Sequence, residues 1–182
     1  MDEAKISTIL RLFIVGTVES SSSNEILREL FEHEWEENPI ENLEVYISSE
    51  GGFLNDCFAI IDVINRFKFL YKFQVTTFGI GEISSAGLFL FMLGDRRILF
   101  PSCRVFVHEH ISIGGTDQTY SERIKEDKGE EKAVYLNYLK YTAKQLNLTT
   151  TRAKTLLKKK KWLTDKEIKT FNIATEDRLK NE

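Results

Sequence analysis

A serine and a histidine of this sequence each follow a predicted strand, where nucleophilic chemistry is often placed. Ser85 stands between small residues, in Ser84-Ser85-Ala86-Gly87, at the start of a predicted helix. A hydroxyl there can act as a nucleophile if a base lies nearby, and the following N–H group can stabilise an oxyanion. A serine at a helix start is also a common N-cap, so both interpretations of Ser85 stay open at this point.

The sequence has three histidines, which limits the choice of base. His33 lies among glutamates and is predicted to be a surface residue. His108 ends an apolar strand, and His110 follows two residues later on the same face if the strand continues. A strand-end histidine is either a packed core residue or the base that activates a hydroxyl. His-Glu-His also resembles a metal site, but no third ligand is evident, so we predict no metal and no cofactor.

Two glycine-containing turns follow predicted strands. Gly51-Gly52 permits positive φ and close approach, so this turn can aim a backbone N–H at an anion, or it can simply be a tight strand-to-helix turn. Gly79-x-Gly81 begins a phosphate-loop pattern, but Ser84 stands where the dinucleotide fingerprint requires its third glycine. Gly-Lys-Ser/Thr does not occur in the chain. Nucleotide binding is therefore not predicted, and ATP-driven work would have to come from a partner.

Alternating strands and helices must position these residues. Leu12 to Val15 predicts a buried strand, a hairpin is predicted around Gly94-Asp95, and Thr164 and Glu167 have capping-box spacing. The predicted strands cover 12–15, 43–48, 73–78, 98–100 and 105–107, and the predicted helices cover 24–35, 55–71, 88–93, 119–146, 150–157 and 164–170. This alternation predicts an α/β domain.

Length and composition bound the class of protein. The 182 residues predict a single domain over 1–182, and a net charge of −3 argues against nucleic-acid binding. No apolar run reaches the roughly 18 residues that a membrane helix needs, and the first residues lack a signal-peptide core. Cys57 and Cys103 have neither zinc-ligand nor redox spacing, so a cytoplasmic location is expected.

Four segments in this order resemble the ClpP family, the proteolytic subunit of the Clp ATP-dependent protease, from about Leu10 to Thr175. Glu50 replaces the usual proline of the family's Ile-Asn-Ser-Pro-Gly-Gly segment, and Gly-x-x-x-Ser-x-Gly places the nucleophile at Ser85 rather than Ser84. The four segments are Arg11–Glu19, similar to the first strand and turn, Tyr46–Gly52, Gly81–Gly87, and Arg104–His108, similar to the strand that carries the catalytic histidine.

The resemblance implies a crotonase/ClpP-like spiral of ββα units, with a protruding handle helix that starts at Thr119. It implies that Ser85 attacks a peptide carbonyl, with His108 as general base and then acid. The N–H groups of Gly52 and Ala86 would hold the oxyanion. The stretch that includes Ile113 and Gly114 would bind substrate as an added strand.

The same resemblance implies partners. Family members form heptameric rings that stack in pairs as tetradecamers and enclose the active sites. Unfolded polypeptide is the substrate, and an AAA+ unfoldase feeds it in. We therefore expect self-assembly and an unfoldase partner, and we expect no nucleic acid and no membrane.

Lys160 departs from the family pattern. The family's third triad member is an aspartate two residues before an aromatic residue, and Lys160 holds that position before Trp162. A carboxylate from elsewhere is one alternative, a buried neutral lysine acting as base is another, and a solvated helix end is the third. The candidate carboxylates are Glu109, Asp117 and Asp165.

The sequence thus predicts a ClpP-like serine endopeptidase subunit that acts through Ser85 and His108 inside an oligomeric chamber. The alternative is a non-catalytic ClpR-like ring subunit that assembles with active paralogues, and Lys160 motivates it. A crotonase-fold acyl-CoA enzyme is a third interpretation, in which the serine–histidine pair would have no role.

Overall fold

The structure is a computed structural model that describes residues 8–109 and 130–179. The chain divides into two compact units, one formed by Met1–Arg104 with Ala174–Glu182 and the other by Val105–Ile173. The single domain expected over 1–182 remains a prediction. Among the described residues, no helix is long and apolar enough to cross a membrane.

The first unit is built on a parallel sheet whose strands are joined by helices. Its strands are β1 (Ile9–Val18), β2 (Asn42–Gly52), β3 (Gln74–Ser84) and β4 (Arg96–Leu99), and its helices are α1 (Ser20–Glu32), α2 (Leu54–Tyr71) and α3 (Ser85–Met92). The strands pair in the order β1-β2-β3-β4, each parallel to its neighbour. This arrangement confirms the predicted α/β class.

One face of the sheet is buried and the other is open. In β1, Leu12 and Ile14 are 0% and 3% exposed, whereas Phe13 and Val15 are 63% and 70% exposed. The prediction that 12–15 is a buried strand is therefore wrong for Phe13 and Val15, because successive side chains of a strand point to opposite faces. All four residues are apolar, so the sequence does not show that buried and exposed side chains alternate along this strand.

The open face carries a row of aromatic rings at paired positions. Phe13 pairs with Tyr46, and Tyr46 pairs with Phe78, in the registers of β1, β2 and β3. Their ring centroids lie 5.3 and 4.6 Å apart in stacked geometry. Phe13 is exposed, whereas Tyr46 and Phe78 are half-buried. Exposed apolar side chains that lie together are typical of a surface that another molecule covers.

Three predicted elements differ from the observed ones. Helix α1 begins at Ser20 rather than after Ser23 or Asn24, because Glu19 and Ser22 form a reciprocal capping box, and it ends at Glu32 rather than at Trp35. The predicted hairpin at Gly94-Asp95 is wrong, since β4 runs parallel to β3 and is reached through α3. The predicted glycine turn from 79 is strand as far as Ser84.

The second unit contains an antiparallel pair of strands and three described helices. They are β5 (Arg104–Val107), β6 (Lys161–Trp162), α4 (Glu130–Gln145), α5 (Thr150–Leu157) and α6 (Asp165–Thr170). The part of the predicted long helix that spans 119–129 lies outside the described residues. The capping box of Thr164 and Glu167 is confirmed at the start of α6. The short strand β6 was not predicted.

The two cysteines are buried free thiols. Burial raises the pKa of Cys103 to about 11 and also raises that of Cys57. Both thiols therefore stay protonated near neutral pH and behave as packed core groups.

Candidate active site

Ser85 occupies a strained turn between β3 and α3. Ser84, which is 5% exposed, is the N-cap of α3, and its side chain makes no capping hydrogen bond. Ser85 is the first residue of α3, is half-buried, and has φ +49°. A serine in the left-handed region costs of order 1–3 kcal/mol and persists only where the surrounding structure imposes it. The N-cap role considered for Ser85 thus falls to Ser84, and the Ser85 hydroxyl is not used to cap the helix.

The end of β2 packs directly against this turn, and glycine is what permits the contact. A Cβ atom on Gly51 would lie 2.4 Å from Ser85 Cβ and 3.0 Å from Ser85 Oγ. A Cβ atom on Gly87 would lie 2.8 Å from the carbonyl oxygen of Ser49. The two glycine-containing segments that the sequence singled out are therefore brought together. A Cβ atom on Gly52 would lie 2.0 Å from the Val18 carbonyl oxygen of β1.

A bulge in β3 sets the direction of the turn. Ile47 pairs with Gly79, but Ser49 pairs with Ile83, so β3 carries two additional residues over this stretch. Gly81 lies inside the bulge with φ +59°. Bulges bend a strand and re-aim the side chains that follow, and they are frequent beside active sites. Here the residues that follow are Ser84 and Ser85.

Backbone N–H groups near Ser85 can stabilise negative charge. The N–H of Ala86 belongs to the first turn of α3, where amide groups have no partner within the helix and the helix dipole favours an anion. The N–H of Gly51 donates to Ser49 Oγ at 3.0 Å and is thus engaged within its own turn. Ala86 therefore has the geometry expected of an oxyanion donor that directly follows a nucleophile.

Glu50, where the family has proline, ties β2 to β1. Thr17 Oγ1 donates to Glu50 Oε1 at 2.5 Å. This hydrogen bond, together with the backbone N–H of Glu50, lowers the pKa of that carboxyl. Proline would restrict the turn through its ring, whereas Glu50 restrains the same turn through a charge-assisted hydrogen bond.

His108 directly follows β5 in the second unit and is half-buried. Its Nδ1 lies 2.7 Å from the carbonyl oxygen of Glu109. A carbonyl oxygen can only accept, so this hydrogen bond requires the proton to be on Nδ1. In the neutral ring Nε2 then carries the lone pair, which is the tautomer that a general base in a serine hydrolase needs.

Two tyrosines of α4 bind the backbone and side chain that flank this contact. The Tyr135 hydroxyl donates to Glu109 Oε1 at 3.0 Å, and the Tyr138 hydroxyl donates to the His108 carbonyl oxygen at 3.4 Å. Glu109 is 8% exposed. Glu109 was one of the carboxylates considered as a substitute for the aspartate. Its side chain accepts a hydrogen bond from Tyr135, and its backbone carbonyl oxygen accepts one from His108. Sequence reasoning missed both tyrosines, although their spacing of three on a predicted helix was a usable signal.

Lys160 directly precedes β6, the strand that pairs with β5. Phe106 pairs with Trp162 and Val107 with Lys161, and the paired register ends there, before His108 and Lys160. Lys160 is exposed and has φ +44°. The burial that a neutral lysine base requires is therefore not observed. Its neighbours Lys159 and Lys161 each form an ion pair of 3.1 Å with Glu167.

Several predicted residues fall outside the region that the structure describes. His110, Ile113, Gly114 and Asp117 all lie between 109 and 130. Among residues 8–109 and 130–179, no group of three or more histidine, cysteine or carboxylate side chains is placed to hold a metal. Asp165 is the first residue of α6.

The Clp protease family matches residues 4–176, which is nearly the whole chain. Its members form oligomeric rings that act with AAA+ unfoldases and degrade polypeptides. The strained serine at the β3–α3 junction, the glycines of the β2 turn and the histidine after β5 stand in the order in which that family carries them. This chain therefore belongs to the Clp protease family, with the ClpP/crotonase-like fold, and is a Clp-type protease or ClpP-like subunit.

Proposed function

We propose that the protein is a serine endopeptidase subunit that hydrolyses unfolded polypeptide, with Ser85 as nucleophile and His108 as general base. The observation that carries this proposal is the positive φ of Ser85, +49°, at the junction between a buried strand and a buried helix. Strain of this kind is stored at functional sites. A merely structural serine at this position would gain nothing from it.

In the proposed reaction His108 Nε2 takes the Ser85 hydroxyl proton while Oγ bonds to the peptide carbonyl carbon. The N–H groups of Gly52 and Ala86 hold the oxyanion. The carbon–nitrogen bond then breaks, and His108 returns the proton to the leaving amine. Water, activated by the same imidazole, hydrolyses the acyl-enzyme and regenerates Ser85.

We expect this chemistry to be slower than in a complete triad. Loss of the orienting aspartate in a serine protease lowers kcat by about 10⁴. Here the Glu109 carbonyl supports the tautomer of His108, but it lacks the full negative charge that stabilises an imidazolium. A cationic Lys160, at the position of the family's aspartate, would add like-charge repulsion.

The assembly is also part of the proposal. Self-association in heptameric rings, stacked as tetradecamers, would cover the exposed Phe13 and Val15 side chains on the open sheet face. An AAA+ unfoldase would supply unfolded substrate, and Ile113 and Gly114 would pair with its backbone. A cytoplasmic location fits buried, unpaired cysteines.

A fluorophosphonate probe tests the nucleophile. We expect a covalent adduct on Ser85, located by peptide mass spectrometry, that Ser85→Ala abolishes and His108→Ala strongly slows. Ser84→Ala is the matched control, because it removes the neighbouring hydroxyl without touching the proposed nucleophile. An adduct that survives Ser85→Ala would refute the assignment.

A non-catalytic ClpR-like ring subunit is the second candidate, and Lys160 is the observation that favours it. In that case the assembled homo-oligomer neither reacts with the probe nor cleaves unstructured peptides, and it co-assembles with an active paralogue. Peptide hydrolysis by the purified homo-oligomer that Ser85→Ala abolishes would eliminate this candidate.

A further inference from the structure

We infer that Tyr135 and Tyr138 are positioning residues for His108. They hold the His108–Glu109 segment so that the Glu109 backbone carbonyl, in place of the family's aspartate, selects the tautomer of the imidazole. The inference rests on the proposed role of His108 as general base. It adds the group that orients the base and the two side chains that hold that group in place.

His108 and Glu109 each accept a hydrogen bond from one tyrosine hydroxyl of α4. Tyr135 binds the side chain of Glu109, and Tyr138 binds the carbonyl oxygen of His108. Both tyrosines are buried, and their rings are stacked with centroids 6.4 Å apart. Residues three apart on a helix lie on one face, so a single turn of α4 holds both ends of this short segment.

The segment needs such support because the position of a backbone carbonyl depends on the orientation of its peptide group. Rotation of the Glu109 peptide would remove the acceptor from Nδ1 and leave the ring free to adopt the other tautomer. Anchoring the Glu109 side chain on one side and the His108 carbonyl on the other restricts that rotation. The hydrogen bond of 2.7 Å from Nδ1 is the expected result.

The carbonyl supplies only part of what an aspartate supplies. It fixes which nitrogen carries the proton, but it gives the imidazolium no counter-charge. An aspartate both selects the tautomer and stabilises the imidazolium. In this protein we expect the correct tautomer but weak stabilisation of the imidazolium.

The first test removes one hydroxyl. In Tyr135→Phe we expect the rate constant for fluorophosphonate labelling of Ser85 to fall at least about tenfold. We also expect the imidazole nitrogen NMR shifts of His108 to move from the Nδ1–H form towards a mixture of tautomers. Assignment uses the signals lost in His108→Gln. Tyr141→Phe is the matched control, since it removes the same group from the same helix, and both readouts should match the wild type.

Variants of the acceptor make the test specific. Glu109→Gln keeps an oxygen that accepts from Tyr135, so we expect near wild-type labelling and tautomer. Glu109→Ala removes that oxygen and should reproduce the loss seen in Tyr135→Phe. Combining Glu109→Ala with Tyr135→Phe should cause little further loss, because both changes break one interaction. Tyr138→Phe should give a smaller effect, given its longer contact.

The outcomes separate this inference from the proposed function. If the wild-type protein does not label but His108 is the Nδ1–H tautomer and Tyr135→Phe changes it, the positioning role stands and the endopeptidase proposal fails. If the protein labels at Ser85 and Tyr135→Phe leaves the tautomer unchanged, the inference is overturned and the endopeptidase proposal stands. A wild-type His108 that is not the Nδ1–H tautomer overturns the inference whatever the activity, and so does a loss of melting temperature without a change of tautomer.

Discussion

The surroundings of His108 differ from those of a histidine in a complete triad in two ways. Nδ1 donates to a neutral carbonyl oxygen, and a cation, Lys160, stands where the family has its aspartate. Both differences should lower the rate at which Ser85 reacts, and the contribution of Lys160 can be measured by substitution.

Lys160→Asp should raise the rate constant for labelling of Ser85, by roughly ten- to a hundredfold, because it replaces a repelling charge with a stabilising one. Aspartate also tolerates the left-handed backbone at this position, φ +44°, better than lysine does. The measurement is the fluorophosphonate labelling rate. Lys158→Asp makes the same charge change two residues earlier and should have little effect. Equal effects of the two variants would refute a specific role for position 160.

At the scale of elements, the site depends on contact between the end of β2 and the start of α3. A side chain at Gly51, where φ is +113°, would overlap Ser85 Cβ and the Ala86 nitrogen, so this contact requires glycine. The bulge in β3 and the Thr17–Glu50 hydrogen bond hold the two segments in register. Packing and pairing between neighbouring elements thus position Ser85.

Gly51→Ala should reduce labelling of Ser85 by more than about a hundredfold, because the new Cβ would occupy space 2.4 Å from Ser85 Cβ. Gly16→Ala is the matched control. Gly16 also has positive φ, +82°, but a Cβ there meets no atom of the described residues within 4 Å. It should cost roughly 1–2 kcal/mol of stability through strain while labelling per folded molecule is retained. Similar labelling rates in the two variants would contradict this account of the turn.

Glu167 links the N-terminal cap of α6 to the lysines on either side of Lys160. Its carboxylate accepts from the backbone N–H of Thr164 and pairs with Lys159 and Lys161, and these interactions lower its pKa to about 2. A carboxyl whose pKa is lower in the folded state stabilises the fold above its ordinary pKa of 4.5. That contribution is lost as pH falls through the folded-state value.

Glu167→Gln should therefore lower the melting temperature at neutral pH, since glutamine keeps the capping geometry but not the charge. The difference from the wild type should stay constant down to about pH 4.5 and shrink towards zero near pH 2. Thermal melts across this pH range, followed by circular dichroism, check the prediction. A pH-independent deficit in Glu167→Gln would contradict the linkage.

At the scale of the whole molecule, the open face of the sheet matters most. Phe13 is 63% exposed and continues the stacked row through Tyr46 and Phe78. Covering one such ring contributes about 1.5–3 kcal/mol. Since the chain belongs to a family of ring-forming proteins, a neighbouring subunit is the occupant that we expect here.

Phe13→Lys should weaken self-association and shift the sedimentation profile towards smaller species, because it places a charge in an apolar contact. Phe69→Lys is the matched control, since Phe69 is equally exposed, at 65%, but lies on α2 rather than on the sheet face. It should leave the assembly unchanged. An assembly that tolerates Phe13→Lys would show that this face is not the subunit contact.

Local sequence determined which residues are capable of chemistry and which elements carry them. The α/β alternation, the extent of α2 and the capping box at Thr164 all follow from periodicity and cap chemistry, which act within a few residues. The order of glycine turn, serine turn and strand-end histidine was sufficient to indicate the family that residues 4–176 match. These features are readable because each depends on residues close together in the chain.

Tertiary structure decided what each of those residues does. The bulge that precedes Ser85, the exposure of Phe13 and the pairing of β5 with β6 all depend on contacts between distant parts of the chain. The acceptor for His108 Nδ1 is a backbone carbonyl, and every residue has one, so no residue type marks it in advance. Sequence alone therefore determined the chemical groups and their order, whereas the fold determined their protonation, strain and neighbours, because those properties arise from contacts that chain order does not contain.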